Sequence, residues 1–290
     1  MGFEPPQRLV RALGDNEWLG QLPKLTEAAL ARDGLEAERV MAPGGRSSLV
    51  VLVHRQDGAP AALKLVPPFA APQLEGAALA HWNGFGAVRL LGGSEGALLL
   101  ERLHPEVSLR SLPEAKALLE AAGTVRRLWV DPPAGHGFES VADRTARQAS
   151  ALAAHGGGAP PALLAAALTA REELAADSPE RLLLHGNFRQ GKVLSGDRTP
   201  WLAVGPEPLV GERAYDLARL VRDRVEDLIA TSAGPSAARR RVNRLADSLD
   251  VDADRLRGWT LFRAVESGMR AMAAGRPAEG ELALEFAAWL

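Results

Sequence analysis

The chain has no cysteine. It therefore holds no disulfide framework, no thiolate metal site and no thiol nucleophile. A thiol-free chain is at home in a reducing compartment, and the expected location is the cytoplasm. Aromatic residues are scarce, with a single Tyr among 290 residues. Neither sign of charge dominates: 34 Lys and Arg stand against 36 Asp and Glu, a formal net charge of −2. That balance gives no basis for a nucleic-acid partner or a polybasic membrane surface. No run of about 18 apolar residues occurs, so no transmembrane helix is expected. The opening MGFEPPQRLVRAL lacks the apolar core of a secretory signal, because Gln7-Arg8 interrupts it.

What is present is a globular composition, 47% hydrophobic. At ~100–200 residues per domain the length implies two lobes. The first third reads as a small antiparallel sheet with an inserted helix. A helix is expected over Leu22–Ala31, from apolar residues on one face. Strands are expected at Leu49–Val53 and Ala61–Val66, joined by a hairpin turning at Asp57-Gly58. A helix follows over Gln73–Trp82, then strands at Val88–Leu91 and Ala97–Leu100 around a turn from Gly92 to Gly96. From residue 102 the periodicity is helical: Glu114–Trp129, Arg144–Ala154, Pro161–Ala176, Tyr215–Ala230, Ala237–Leu249 and Leu256–Ala274. Short β segments fall at Leu182–Leu184, Val193–Leu194 and Trp201–Val204. The fold class is α+β, with a first lobe over 1–101 and a helical second lobe over 102–290.

Chemistry-bearing residues are few. Gly44, Gly45 and Ser47 belong to a Gly-Gly-Arg-Ser-Ser turn that either drapes N–H groups over a phosphate or only reverses the chain. Lys64 lies in an apolar strand, where it either snorkels off an edge or pairs with an anion. Glu75, eleven residues on, is a candidate partner. The His residues at 54, 81, 104, 136, 155 and 185 show no metal-ligand spacing. The basic run Arg239–Arg244 reads as a solvated helix face.

Two segments are more specific. Leu182-Leu-Leu-His-Gly-Asn-Phe-Arg-Gln-Gly-Lys-Val-Leu194 is followed by Trp201-Leu-Ala-Val-Gly-Pro-Glu-Pro-Leu-Val-Gly-Glu-Arg-Ala-Tyr-Asp-Leu-Ala218. The pair resembles the catalytic and metal-binding segments of the aminoglycoside phosphotransferase family, in its streptomycin and hydroxyurea phosphotransferase branch. The family pattern is His-Gly-Asp-x-His-x-x-Asn, then an Asp before Pro, a Gly and a downstream Asp-Leu-Ala. Trp18, the Gly44-Gly45 loop, Lys64, Glu75, Val88–Leu91 and Leu98–His104 fall in order upstream, so the resemblance covers nearly the whole chain. It implies a two-lobed protein-kinase-like fold with a hinge near Glu101–Leu103. Adenine of ATP would meet the hinge backbone, Lys64 the phosphates, and Glu75 would hold Lys64. His185 and Asp216 would support the catalytic loop.

Against that pattern three residues are exchanged. Asn187 stands where the family has its basic Asp, and an amide is no general base. Lys192 stands at the metal-binding Asn, and an ammonium offers donors only. Gly205 stands at the metal-binding Asp. Arg189 replaces the second His. The resemblance then implies a pseudokinase: a protein that binds ATP or another nucleotide, a small ligand or a protein partner, with Mg²⁺ doubtful. Lys192 either replaces part of the metal's charge, with Lys64 and Arg189 beside the phosphates, or points into solvent. Glu207, Glu212 and Asp216 are the carboxylates that could instead return to the metal position. Two other readings stand beside this one: an active phosphotransferase acting on a hydroxyl, and a structural partner of another enzyme.

Overall fold

Leu49–His54 and Pro60–Leu65 are the centre of a five-stranded antiparallel sheet, in the order β1-β2-β3-β5-β4. Here β1 is Glu36–Val40, β2 Leu49–His54, β3 Pro60–Leu65, β4 Leu90–Ser94 and β5 Ala97–Glu101. The computed structural model describes residues 4–94, 96–154, 158–229 and 233–290. Met1 to Phe3 of the opening, Glu95 of the expected turn, His155 and Ala230 at an expected helix end lie outside the described residues.

The chain divides into two compact units: Met1–Val107 with Leu194–Val204, and Ser108–Val193 with Gly205–Leu290. The expected boundary was at 101/102; the first unit runs six residues further and takes in a segment from beyond residue 190.

In the first unit the two-residue period of a strand sorts the sheet's faces. Val51, Val53, Ala61, Leu63, Leu65, Ala97 and Leu99 form one buried face with Leu9, Trp18, Leu22 and Ala29. The last four come from α1 (Gln7–Leu13) and α2 (Glu17–Asp33), the latter capped by Asn16, which accepts from Trp18 N–H. Lys64 falls on the opposite face, paired in register with Val50 and Leu98. That face meets α3 (Pro72–Trp82), where a Cβ on Gly76 would touch Leu98 at 3.4 Å. Arg102 ties three strands together: its guanidinium donates to the carbonyls of Ala61 and Val53, each at 3.0 Å, and to Glu38 at 2.9 Å. A small sheet of β6 (His104–Ser108) with Val193–Ser195 and Leu202–Ala203 completes this part of the chain.

Two expectations here are corrected. The strand expected at Val88–Leu91 is displaced to Leu90–Ser94, so the glycines assigned to a turn lie in the strand. Gly93 explains the shift: at φ 152° a Cβ there would stand 2.5 Å from the Ala97 carbonyl, so only glycine lets the strands close. Strand β1 was not anticipated, because Glu36–Val40 carries little apolar alternation.

The second unit is built on helices α4 (Glu114–Arg126), α5 (Val141–Ala154), α6 (Pro161–Ala176), α7 (Arg213–Val221), α8 (Val225–Ile229), α9 (Gly234–Leu249), α10 (Ala253–Ala273) and α11 (Pro277–Ala287). Helix α10 packs on α6, α7 and α11. Buried Trp259 and Phe262 lie on α10, and Phe286 on α11. The α10–α11 crossing is close because Gly268 and Gly280 face each other; a Cβ on either would press the other's carbonyl at 3.1 or 2.9 Å. Beside the helices, Leu209–Gly211 pairs antiparallel with Leu182–Leu184 and parallel with Glu139–Ser140.

The helix expected over Tyr215–Ala230 is two helices. Arg224 sits at φ 55° and breaks it, and the freed Val221 carbonyl accepts from Arg241 at 2.9 Å. Arg241 is therefore buried, also bound to Glu114 at 2.5 Å, and is no part of a solvated face. Arg239, Arg240 and Arg244 of the same run are exposed.

Candidate functional site

In the first unit, Lys64 Nζ donates to both Glu75 carboxylate oxygens at 2.6 Å. Both side chains are nearly buried, 11% and 6% exposed. The pair forms because strand period aims Lys64 at the α3 side and Glu75 lies in that helix's first turn. The loop of Gly44, Gly45 and Ser47 leads directly into Leu49 and Val50, which lie across from Leu65 and Lys64. Gly44 is left-handed at φ 69°, and Ser47 is exposed. The Glu101 carboxylate is already engaged: it accepts from Arg89 N–H and from Arg198, each at 2.7 Å. Leu103 is buried, and a Cβ on Gly196 would meet it at 2.9 Å.

In the second unit, a buried Asp216 organises the segment His185–Lys192. Its carboxylate accepts His185 N–H at 3.0 Å, Gly186 N–H at 2.8 Å and Trp129 Nε1–H at 3.2 Å. Burial pushes the Asp216 carboxyl above its ordinary range, and the bond from His185 N–H works against that push. Gly186 is left-handed at φ 72°, and a Cβ on it would run into the Glu207 carbonyl. His185 is fully buried; its Nδ1 accepts Asn187 N–H at 3.2 Å, and its ring meets Phe188 edge-on at 5.6 Å.

Asn187 Nδ2 donates to Glu207 Oε1 at 2.7 Å, while Asn187 Oδ1 is buried without a partner. Gly205 is left-handed at φ 61°, and a Cβ at that position would stand 2.6 Å from Lys192 Nζ. The ammonium therefore occupies the space into which a side chain at 205 would project. Of the other carboxylates weighed for the metal position, Glu212 is buried and bound to Arg255 at 2.6 Å and to Trp259 Nε1 at 2.8 Å. Asp216 is fully used as described. Neither can turn toward residue 205.

The donor set does not fit a divalent cation. Mg²⁺ takes oxygen ligands in octahedral geometry. Here Asn187 offers one amide oxygen, Glu207 a carboxylate already holding the Asn187 amide, Gly205 no side chain, and Lys192 places an ammonium where a carboxylate would be needed. Among the described residues no cluster of three His, Asp or Glu could hold a metal ion.

Residues 33–275 match the sequence profile of the aminoglycoside/hydroxyurea antibiotic resistance kinases. The chain belongs to this family. It is 35% identical over 268 residues to streptomycin 6-kinase of Streptomyces glaucescens, covering 89% of this chain and 86% of that one. It is 35% identical to hydroxyurea phosphotransferase of Kitasatospora aureofaciens, covering 87% and 73%. Among solved structures it is similar to an aminoglycoside phosphotransferase in ternary complex with ADP and hygromycin B, at TM-score 0.62 and 17% identity over 92% of this chain and 97% of that one. An ethanolamine kinase of Plasmodium vivax gives TM-score 0.59 at 12% identity, covering 93% and 87%. The fold of this antibiotic resistance kinase family member is thus kinase-like: a small antiparallel sheet in one unit, mostly helices in the other. No described helix is long and apolar enough to cross a membrane.

Sequence reasoning missed two features of the site. The Asn187–Glu207 bond joins residues twenty apart through a turn that the spacing does not reveal. A group of arginines, Arg219, Arg222 and Arg263, gathers beside the segment; Arg219 lies in α7 and Arg222 caps its end three residues on, which was the available signal.

Proposed function

We propose that this chain is a catalytically impaired kinase of the family, a pseudokinase that binds a nucleotide without relying on Mg²⁺. The observation that carries the reading is the position of Lys192 Nζ, 2.6 Å from where a Cβ on residue 205 would sit. Two exchanges, one adding a cation and one removing a carboxylate, meet in one place. An ammonium there supplies fixed positive charge to phosphate oxygens, the role that a metal plays in phosphoryl transfer. It cannot supply a metal's bridging geometry. Asn187, an amide, takes no proton from a hydroxyl, and losing a general base costs ~10²–10⁴ in rate. Lys64, held by Glu75, meets the phosphates in this reading, and the Gly44–Ser47 loop covers them. The relatives named above support the nucleotide, since one was solved with ADP.

Calorimetric titration with ATP, with Mg²⁺ and with EDTA, tests this. Binding is expected in both, lost in Lys64→Ala, and accompanied by no phosphate transfer to hydroxylated acceptors. Binding that requires Mg²⁺, with turnover, overturns it.

A second reading is favoured by the Asn187–Glu207 bond at 2.7 Å. It brings an exposed carboxylate beside the position of the missing base, so a phosphotransferase acting on a hydroxyl could use Glu207 in its place. Slow turnover abolished by Glu207→Gln would support this reading over the first. With no ATP bound under either condition, a ligand-free role as a protein partner becomes the reading to pursue.

A further inference from the structure

Four arginines of the second unit gather beside His185–Lys192. Arg263 donates to the carbonyls of Tyr215 at 2.8 Å and Gly186 at 2.7 Å, and its guanidinium lies 4.2 Å over the Tyr215 ring. Arg222 donates to Ser267 Oγ at 3.0 Å. These two are satisfied by neutral oxygens. Arg189 and Arg219 are not: among the described residues neither makes a hydrogen bond or an ion pair, and Arg189 Nε is buried without a partner.

The carboxylates nearby have partners of their own. Glu207 holds the Asn187 amide. Asp223 accepts Gln190 N–H and lies 3.5 Å from Arg110. Glu266 is bound to Arg270 at 2.9 Å. The Arg219 guanidinium is pushed down to about 9 by burial first and then by Arg263, Arg222 and Arg189, with Glu207 opposing. A guanidinium stays charged through the neutral range, and three neighbouring cations against the charges of Glu207 and Asp223 leave this one incompletely compensated. Desolvated charge without a partner is costly, and an anion relieves the cost.

We propose that Arg189 and Arg219 form a site for the oxyanion group, phosphate or carboxylate, of a small molecule. The planar fork of each guanidinium matches such a group with two parallel hydrogen bonds. The proposal goes beyond the nucleotide reading, because every residue lies in the second unit and Lys64 takes no part. It also sets the charge of the ligand: a sugar carrying protonated amines meets an excess of cations over carboxylates and is repelled.

The test is calorimetry and thermal melting of the full chain with inorganic phosphate and, separately, citrate, at ionic strength matched with chloride. One or both anions raise the wild-type melting temperature, and the one that does so identifies phosphate or carboxylate as the preferred group. Arg219→Gln and Arg189→Gln each weaken that binding about tenfold or more. Ligand-free Arg219→Gln melts at or above the wild type, because removing the charge relieves repulsion. Lys64→Ala keeps the anion response even if it loses ATP, which separates this site from the nucleotide reading. If Arg219→Gln does not fold, Arg219→Lys, which keeps the charge and loses the fork, must show the same weakening. The proposal is overturned if neither anion shifts the wild type, if the arginine variants respond as the wild type does, or if Lys64→Ala abolishes the response.

Discussion

Lys192 reaches into the space that the missing side chain of Gly205 leaves open, its ammonium 2.6 Å from where a Cβ would be. The two positions are therefore coupled. A carboxylate restored at 205 alone would meet the ammonium before it met a cation, and an amide restored at 192 alone would face an empty position. On the proposed reading, only joint reversal rebuilds an oxygen-lined centre.

The first prediction follows from that coupling. The triple variant Asn187→Asp, Lys192→Asn, Gly205→Asp is expected to gain Mg²⁺-dependent ATP turnover, by roughly 10²–10⁴ over the parent chain if the base alone is limiting. Gly205→Asp by itself is expected to gain none. A coupled assay of ADP release, with Mg²⁺ and with EDTA, reads both. Equal turnover in parent and triple variant would overturn the impaired-kinase reading.

A second concerns the Lys64–Glu75 pair. Its charges are almost out of solvent, so removing one leaves the other buried and uncompensated. Lys64→Ala is expected to lower unfolding stability by about 3–5 kcal/mol. Lys64→Met with Glu75→Leu, which removes both charges and keeps the volume, should recover most of that loss. Urea denaturation of the four species in the cycle measures the coupling. Additive losses would show that the pair does not act as a unit.

Much of this was legible from the residues. The period-2 pattern of Leu49–Val53 and Ala61–Val66 gave the sheet, and Glu75 stood as a candidate partner of Lys64 that the family resemblance supported. What was not legible depends on contacts distant in sequence. The break after Val221, made at left-handed Arg224, is satisfied by Arg241, twenty residues on from the freed carbonyl, which no local propensity encodes. Arg189 was singled out beside the phosphates, but Arg219 was not, since an arginine in a helical pattern reads as solvated surface. Whether Lys192 faced solvent or the metal position was undecidable from sequence, because spacing does not fix where a long side chain points. In the folded chain its Nζ lies 2.6 Å from where a Cβ on Gly205 would sit.

The third prediction tests the glycine that shapes the loop. Gly186 combines φ 72° with a backbone carbonyl in the path of any Cβ. Gly186→Ala adds left-handed strain of about 1–2 kcal/mol and must also displace Glu207, whose carboxylate holds Asn187. Expected is a loss larger than the strain alone, with ATP binding weakened as well. Comparison with Gly58→Ala, also left-handed at φ 76° but with open space around it, isolates the collision. Equal losses at the two glycines would remove the argument for crowding.

The last prediction is a pH dependence at Asp216. Burial raises its carboxyl above the ordinary range in the folded chain. A group with a raised folded value adds stability below its unfolded value, and that contribution is lost as pH rises through the folded value. Asp216 therefore becomes a growing electrostatic cost toward neutral pH, even while it accepts three N–H bonds. Asp216→Asn keeps the size and removes the charge, but it presents an NH₂ where one oxygen accepted, leaving a buried donor unpaired at roughly 1–3 kcal/mol. The variant is then less stable than the parent at acidic pH, and the gap narrows as pH rises above the ordinary carboxylate range through the raised folded value. Denaturant unfolding at several pH values measures the gap. A constant or widening gap would mean that the carboxylate's hydrogen bonds outweigh its burial, and that Asp216 carries its charge in the fold without penalty.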